Sequence, residues 1–268
     1  MSEIAKDIDL TGKVALVTGS SRGLGRHYAL LLARAGADVI IHDISERAAA
    51  EFGEAASGPA VTEEIKALGR RSAFIAADLT DAQQVEALAR RSVEALGQVD
   101  ILVNNAGGDI GARTPRPEPN DALDIHPDDI RSVIERNLLT TMYACKYVGQ
   151  HMRERRTGKI INVGSAAGHV PVASGIIYAA AKMGISHYTR CLAEELRPYE
   201  VNANCIAPAS TYTGRFMATR TVPDETGLSR LERTAQPQDM ARVVLFLSSA
   251  LSDYLTGETI VCWSRMKL

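Results

Sequence analysis

Tyr178 and Lys182 stand four residues apart in the stretch SGIIYAAAKMGISHYTR (174–190), whose other residues are mostly small or apolar. Residues four apart lie on the same face of an α-helix, so the phenol and the ammonium are expected to be neighbours. A phenol with its ordinary pKa of about 10 is a poor base at neutral pH, and a nearby cation lowers that pKa. The pair could therefore exchange a proton with a substrate hydroxyl. Alternatively, both side chains are half-buried anchors whose polar ends reach water.

Ser165 and Asn137 could support the same chemistry. Ser165 ends a predicted strand, KIINVGS (159–165), where a hydroxyl could hydrogen-bond a substrate oxygen as charge develops on it. Asn137 lies in a helical stretch, where asparagine has modest propensity, and could hold a water molecule connecting Lys182 to solvent. Taken singly, Ser165 is explained as a turn former and Asn137 as a polar residue on a helix surface. A hydrolytic role for Ser165 is not expected, because VGSAAG (163–168) lacks the G-x-S-x-G pattern.

Gly19, Gly23 and Gly25 lie in VTGSSRGLG (17–25), between a predicted strand and a predicted helix. Without a Cβ atom the backbone can turn sharply and approach a ligand closely. The helix N-terminus then offers free N–H groups and a partial positive charge to a pyrophosphate. The spacing G-x-x-x-G-x-G differs from the commoner G-x-G-x-x-G fingerprint, but the strand before and the helix after provide the required context. We interpret this turn as a dinucleotide site rather than merely a tight turn.

Asp43 and Arg22 bear on the type of dinucleotide. Asp43 ends the second predicted strand, where an acidic residue about 20 residues after the glycines accepts hydrogen bonds from the adenosine ribose. A carboxylate there repels a 2′-phosphate, which favours NAD over NADP. Arg22 favours the opposite, because a cation in the glycine turn could bind the extra phosphate. Asp43 is given more weight because it would lie nearer the ribose, although it could also be an ordinary surface acid.

Short β-branched runs alternate with amphipathic stretches along the 268 residues. Strands are predicted over 13–18, 38–43, 72–78, 99–105, 159–165, 201–207 and 258–262, and helices are predicted to begin near Gly23, Glu46, Asp81, Asp128, Ala173 and Gln238. This alternation indicates a single α/β domain over residues 1–268, with a doubly wound, seven-stranded parallel sheet. The stretch FGEAASGPA (52–60) is interpreted as a surface excursion that breaks the second helix. The proline-rich loop 108–129 leaves the fourth strand at the end where such sheets bind ligands.

Composition excludes several classes of protein. A formal net charge of −2 and a pI near 6.3 provide no basic surface for nucleic acid or an anionic membrane. Neither a secretory leader nor a run of about 18 apolar residues is expected in this sequence. Four scattered cysteines indicate reduced thiols in the cytoplasm, and the spacing of the six histidines predicts no metal site.

Taken together, these motifs resemble the short-chain dehydrogenase/reductase family over almost the whole chain. The resemblance rests on TGSSRGLG (18–25), DL (78–79), NNAG (104–107), Asn137, Ser165, YAAAK (178–182) and the segment after Pro208. It implies a Rossmann-type fold and a catalytic set formed by Asn137, Ser165, Tyr178 and Lys182. It also implies a homotetramer or homodimer paired through the helices around 128–155 and 173–197.

The resemblance further implies a set of cofactor-binding residues. Asp78 and Leu79 would border the adenine, Lys182 would bind the nicotinamide ribose, and Thr213 would help hold the carboxamide. The full set is Gly19, Ser21, Arg22, Gly23, Leu24, Gly25, Asp43, Ile44, Asp78, Leu79, Asn105, Ala106, Gly107, Tyr178, Lys182, Pro208, Thr211 and Thr213. The chain departs from the family at Ala209, where glycine is usual, and in the tail VCWS (261–264). Trp263 and the extension through Leu268 could therefore pack against a neighbouring subunit.

The favoured activity is hydride transfer between NAD and a polar secondary alcohol, such as a sugar, polyol or sugar acid. The alternatives are an NADPH-dependent reductase of 3-oxoacyl thioesters and a dinucleotide-binding sensor without catalysis. Loops 108–129 and 212–235 are expected to form the substrate pocket. They carry four arginines that could bind an anionic group: Arg113, Arg116, Arg215 and Arg220. His169 could touch a substrate hydroxyl or serve only packing.

Overall fold

Seven short, largely apolar runs form one parallel sheet in the computed structural model, which describes residues 3–263. The strands are β1 Val14–Val17, β2 Asp38–Asp43, β3 Ser72–Ala76, β4 Ile101–Asn104, β5 Gly158–Val163, β6 Val201–Pro208 and β7 Thr259–Cys262. Their order in the sheet is β3-β2-β1-β4-β5-β6-β7, and every neighbouring pair is parallel. The predicted seven-stranded, doubly wound sheet is confirmed, because the apolar runs are those of strands covered on both faces.

Helices cover both faces of this sheet. They are α1 Glu3–Asp7, α2 Gly23–Arg34, α3 Gly58–Ala67, α4 Ala82–Leu96, α5 Pro127–Ile134, α6 Thr140–Arg155, α7 Ile176–Leu196, α8 Gly214–Thr219 and α9 Pro237–Ser248. One buried cluster joins α2 and α9 to the sheet, and includes Tyr28, Leu32 and Val244. A second joins α4, α6 and α7 to the opposite face. Between α5 and α6 the chain makes a single π-helical turn, Glu135–Leu139.

A helix begins at Glu46, as predicted, and breaks within 52–60, but its first part is 3₁₀ rather than α. Residues Glu46–Phe52 form only a short 3₁₀ helix, which ends at Gly53 in the left-handed conformation, with φ of 68°. Helix α3 begins at Gly58, where Pro59 suits the first turn and the Ser57 hydroxyl accepts a hydrogen bond from the Ala60 amide at 3.2 Å. The stretch 52–60 is therefore a helix end, a short connection and a new helix start. The short helices α1 and α8 were not predicted.

The sheet reverses its winding between β1 and β4, and this determines where a site can form. The chain leaves β1 for β2 on one side and leaves β4 for β5 on the other, so a crevice opens beyond the carboxyl ends of these two strands. The glycine turn follows β1, the NNAG segment ends β4, and Ser165 follows β5. Residues 264–268, where the tail was expected to meet a neighbouring subunit, lie outside the described residues. Among residues 3–263, no helix is both long and apolar enough to cross a lipid bilayer.

Asp100 links the amino ends of β1 and β4 to α6, at the end of the sheet opposite this crevice. Its buried carboxylate accepts hydrogen bonds from the Val14 amide at 2.8 Å and the Arg155 guanidinium at 2.7 Å. Asp100→Ala should lower the free energy of unfolding by about 2–4 kcal/mol, because it leaves a buried amide and a cation unpaired. Urea denaturation measures the change. Asp253→Ala is the matched control: Asp253 pairs with Lys159 at 2.7 Å but is 68% exposed, so we expect a loss below about 1 kcal/mol. Equal losses of unfolding free energy in the two variants would contradict the structural role assigned to Asp100.

Candidate active site

Helix α7 places Tyr178 and Lys182 together at the crevice. Lys182 is only 4% exposed, and its Nζ donates a hydrogen bond of 2.8 Å to the carbonyl of Val163, the last residue of β5. The same Nζ lies 5.7 Å from the centre of the Tyr178 ring. Burial lowers the pKa of Lys182 to about 8, an effect that the nearby Cys205 opposes. The alternative in which both polar ends reach water does not hold for this lysine.

Ser165 joins the pair from the end of β5. Its hydroxyl caps the short 3₁₀ helix Ala166–His169 by accepting the Ala167 amide at 3.3 Å, and it is hydrogen-bonded to the Tyr178 side chain. Burial raises the pKa of the Tyr178 phenol, and the hydrogen bond from Ser165 opposes that rise. The two hydroxyls therefore face each other in the crevice, with the buried ammonium near the tyrosine ring.

Charges on loops 108–129 and 212–235 also act on Tyr178. Asp109 further raises the pKa of its phenol, whereas Arg220 and Arg215 act to lower it. The sequence interpretation assigned a lowering of this pKa to the ammonium of Lys182, whose Nζ is directed at the Val163 carbonyl. Sequence reasoning missed Asp109 altogether. Its place directly after NNAGG was the available indication, since a carboxylate there follows β4 into the crevice.

Asn137 connects the site to the loop after β4. It is fully buried in the π turn, where its amide nitrogen donates to the carbonyls of Gly108 at 2.9 Å and Val133 at 2.8 Å. Its amide oxygen accepts the Gly108 amide at 2.9 Å, and a Cβ atom on Gly107 would lie 2.6 Å from that oxygen. The Asn137 side chain thus fixes the loop after β4 at Gly108. Its predicted role of holding a water molecule stays a prediction.

Two positions of the glycine turn, Gly19 and Gly25, have backbone geometry that only glycine fits. Gly19 has a φ of 60°, and a Cβ atom on Gly25 would lie 2.3 Å from the Gly19 carbonyl oxygen. The NNAG segment packs directly against this turn, because Asn105 Nδ2 donates to the carbonyls of Thr18 and Gly19 at 3.0 Å each. The Ala106 amide donates to the Thr18 hydroxyl at 3.0 Å. The sequence-predicted residues from β1 and β4 therefore form one surface.

His42 supports the turn from beneath and was missed by sequence reasoning. Its Nδ1 accepts the Gly19 amide at 3.3 Å, and its Nε2 donates to the Ala77 carbonyl at 3.1 Å. Burial lowers the pKa of His42 to about 4, against the opposing charges of Asp43 and Asp78. The imidazole is consequently neutral at physiological pH, with the proton on Nε2. A histidine within the otherwise apolar run DVIIHD was the available indication.

The acidic strap, defined as residues 46–57, lies over the glycine turn. Arg22 pairs with Glu51 at 2.8 Å, and its guanidinium lies 4.5 Å from the centre of the Phe52 ring. The Glu54 carboxylate accepts hydrogen bonds from the Gly23 amide at the start of α2 and from the Gly214 amide at the start of α8. Neither contact was predicted, because the strap was interpreted as a surface excursion. Backbone donors suited to a dinucleotide phosphate are therefore present, and a carboxylate already bonds to them.

The other predicted cofactor residues surround this crevice. Asp43 accepts a hydrogen bond from the Ser21 hydroxyl and another from the Ile44 amide at 2.9 Å. The Asp78 carboxylate is held by the Thr80 amide at 2.9 Å. The remaining positions are Leu24 in the first turn of α2, Leu79 buried after Asp78, Pro208 at the end of β6, Thr211 bridged to Ala235, and Thr213 at the N-cap of α8.

Three of the four loop arginines already have partners. Arg116 pairs with the buried Asp109 at 2.8 Å, and Arg215 donates to the Asp109 carbonyl at 2.9 Å. Arg113 lies 3.6 Å from Asp128. His169 faces Ser186 of α7, with Nε2 at 3.4 Å from its hydroxyl, which fits the packing alternative. Within residues 3–263, no group of three or more His, Cys, Asp or Glu side chains could hold a metal ion.

Comparison with known proteins gives consistent matches. The model of the short chain dehydrogenase family matches residues 13–224. Cyclohexanol dehydrogenase of Rhodococcus sp. (strain TK6) is 41% identical over 262 residues, covering 95% of this chain and 96% of the relative. The 3-oxoacyl-[acyl-carrier-protein] reductase FabG of Chlamydia pneumoniae is 35% identical over 260 residues, covering 95% and 97%. A solved 7α-hydroxysteroid dehydrogenase, complexed with NADH and 7-oxo glycochenodeoxycholic acid, has a TM-score of 0.85 at 30% identity, covering 97% and 96%.

Burial of Lys182 predicts a specific pH dependence of stability. Between pH 8 and about 10.4, the pKa of an exposed lysine, the unfolded chain binds a proton that the native chain does not, so the native state gains stability as pH rises. The free energy of unfolding of the unmodified protein, relative to Lys182→Met, should rise by about 2–3 kcal/mol from pH 7 to pH 10.5. Urea titrations across this range measure the difference, in which other titrating groups largely cancel. If the free energies of unfolding of the two proteins changed in parallel with pH, the lowered pKa of Lys182 would be contradicted.

Proposed function

Because the chain belongs to the short-chain dehydrogenase/reductase family, we propose that it transfers a hydride between NAD and a neutral secondary alcohol or its ketone. Its relatives are oxidoreductases that act on CH–OH groups, and this class of activity is common to the family. The observation that carries the proposal is the meeting of Tyr178, Ser165 and Lys182 beside the glycine turn.

The proposed mechanism assigns one task to each side chain. Tyr178 removes the substrate hydroxyl proton in oxidation and returns it in reduction. Ser165, which faces Tyr178, turns its hydroxyl to donate a hydrogen bond to the substrate oxygen as charge develops there. Lys182 places a positive charge one helical turn away, which favours the phenolate when the tyrosine is deprotonated. NAD, when bound, supplies the acceptor for the hydride.

Two features support NAD over NADP. Asp43 ends β2 beside the glycine turn, where its charge would repel a 2′-phosphate. Arg22, the cation that could have bound such a phosphate, is paired with Glu51 and stacked on Phe52. A competing anion would have to displace both contacts, so the observation that weakened the NAD interpretation at the sequence level now supports it.

A neutral substrate is supported by the loops that border the crevice. The partners of Arg113, Arg116 and Arg215 leave these cations engaged within the protein, which disfavours a carboxylate bound by any of these three. The same loops expose large apolar side chains, namely Leu123, Met217, Val222 and Leu231. Such residues suit a compact ring alcohol, the class named for the Rhodococcus relative. The sugar or polyol substrate predicted from the sequence is the next class to test.

Two further properties stay predictions. A homotetramer or homodimer paired through α6 and α7 would use the half-buried Gly184 at the contact, since Ala144 and Ala179 are already buried within the chain itself. A cytoplasmic location follows only from the cysteine pattern. The second candidate activity, NADPH-dependent reduction of 3-oxoacyl thioesters, is favoured by the FabG relatives at 34–35% identity.

The proposed function is tested by the initial rate at which the absorbance of the nicotinamide cofactor changes. Cyclohexanol, sorbitol, gluconate and a 3-hydroxyacyl thioester would each be assayed with NAD and with NADP, and the matching ketones with the reduced forms. We expect turnover with NAD and cyclohexanol, and at least about tenfold lower kcat/KM with NADP, as one repelled phosphate implies. Activity restricted to NADPH and a 3-oxoacyl thioester would replace the proposal by the reductase alternative.

Substitution of the phenol tests the proton-transfer role. Tyr178→Phe should lower kcat by about 10²- to 10⁴-fold, the contribution of a positioned general acid–base, while the dissociation constant for NADH changes little. Turnover assays and isothermal titration calorimetry measure the two quantities. Tyr188→Phe is the matched control, because Tyr188 lies on the same helix but packs against the second buried cluster. Normal turnover in Tyr178→Phe would refute the assigned role.

A further inference from the structure

The Glu54 carboxylate bridges two helix starts that face the crevice. It accepts one hydrogen bond from the Gly23 amide of α2 and one from the Gly214 amide of α8, although Glu54 and Gly214 are 160 residues apart in the chain. The side chain is packed tightly there, because a Cβ atom on Gly214 would lie 2.9 Å from both Glu54 Cγ and Phe52 Cβ. A carboxylate held by backbone amides at a helix N-terminus makes the bonds that a phosphate would make.

The 3₁₀ helix at the start of the strap is anchored, whereas the residues after it have room to move. Ala49 is fully buried, so the 3₁₀ helix Glu46–Phe52 is anchored against the domain. Gly53 follows in the left-handed conformation, with no atom within 4 Å of the position where its Cβ would stand. Ser57 caps α3 and fixes the other end. Rotation within 53–57 can therefore withdraw Glu54 without unfolding either helix, with loss of the contact that Ala55 makes with the first buried cluster.

We propose that Glu54 is an intramolecular competitor for the dinucleotide phosphates, so that the cofactor binds only after residues 53–57 swing the carboxylate away. This rests on the proposed dinucleotide function of the glycine turn. Two anions cannot share the same amide donors, and the second would add like-charge repulsion at close range. The apparent dissociation constant for the nucleotide is then the intrinsic constant divided by the fraction of molecules in which Glu54 is released.

Removing the charge at position 54 tests the competition. Glu54→Gln should bind NADH and ADP about three- to tenfold more tightly than the unmodified protein, as expected if the closed strap holds most molecules. Adenosine, which carries no phosphate, should bind both proteins equally. Isothermal titration calorimetry measures all three ligands without any substrate turnover. Glu46→Gln is the matched control, because Glu46 is an exposed carboxylate on the same strap, and its affinities should not change.

A second measurement uses the unmodified protein. Saturating ADP should accelerate amide hydrogen exchange within 53–57, because the released strap loses its contacts at the crevice. Unchanged or weaker NADH binding by Glu54→Gln, or slower exchange in 53–57 with ADP, would overturn the proposal, since Glu54 would then be neutral toward the nucleotide or hold it. If NADH binds all variants equally, the dehydrogenase proposal survives and this one fails. If neither NADH nor ADP binds any variant, both fail.

Discussion

The reversal of the sheet between β1 and β4 is the constraint on which the site depends. Parallel strands bring their carboxyl ends to one edge, and the reversal keeps the connections from β1 and β4 apart, so that edge stays open. The glycine turn, the NNAG segment and Ser165 are each a short distance beyond a strand end. None of them needs a long loop to reach the others, and the strands that carry them are buried apart from Lys159 of β5. The geometry of the site is therefore as rigid as the core.

Within that frame, the site combines buried charges with buried hydrogen bonds. Lys182 is held against the Val163 carbonyl at the cost of a lowered pKa, and His42 is kept neutral between Gly19 and Ala77. Both arrangements are unfavourable for the charged form of the side chain, and both sit directly beneath the crevice. Groups whose pKa is displaced by burial are characteristic of functional positions, where stability is given up for chemistry.

Sequence alone predicted the parts of the molecule that depend on local pattern. The run DVIIHD has the same bounds as β2, and the four-residue spacing of Tyr178 and Lys182 required only that α7 be a helix. It failed where a residue is defined by a distant partner. In the sequence, Glu54 resembles an ordinary surface acid and Asp109 an ordinary loop residue. Only the fold brings the start of α8 to Glu54 and places Arg116 beside Asp109. The break of the second helix within 52–60 was also predicted from local pattern, because Gly53 and Pro59 mark it in the sequence.

The π turn at Glu135–Leu139 lets the chain hold one residue more between α5 and α6 than a continuous α-helix would. Because the wider turn absorbs that residue, α6 keeps the rotational phase of a continuous helix, and Ala144, Val148 and Met152 stay on the sheet. Straightening the turn into α-helix without removing a residue would rotate α6 by about 100° about its axis and take these side chains off the sheet. The wider turn therefore sets Asn137 against Gly108 without changing which face of α6 meets the core.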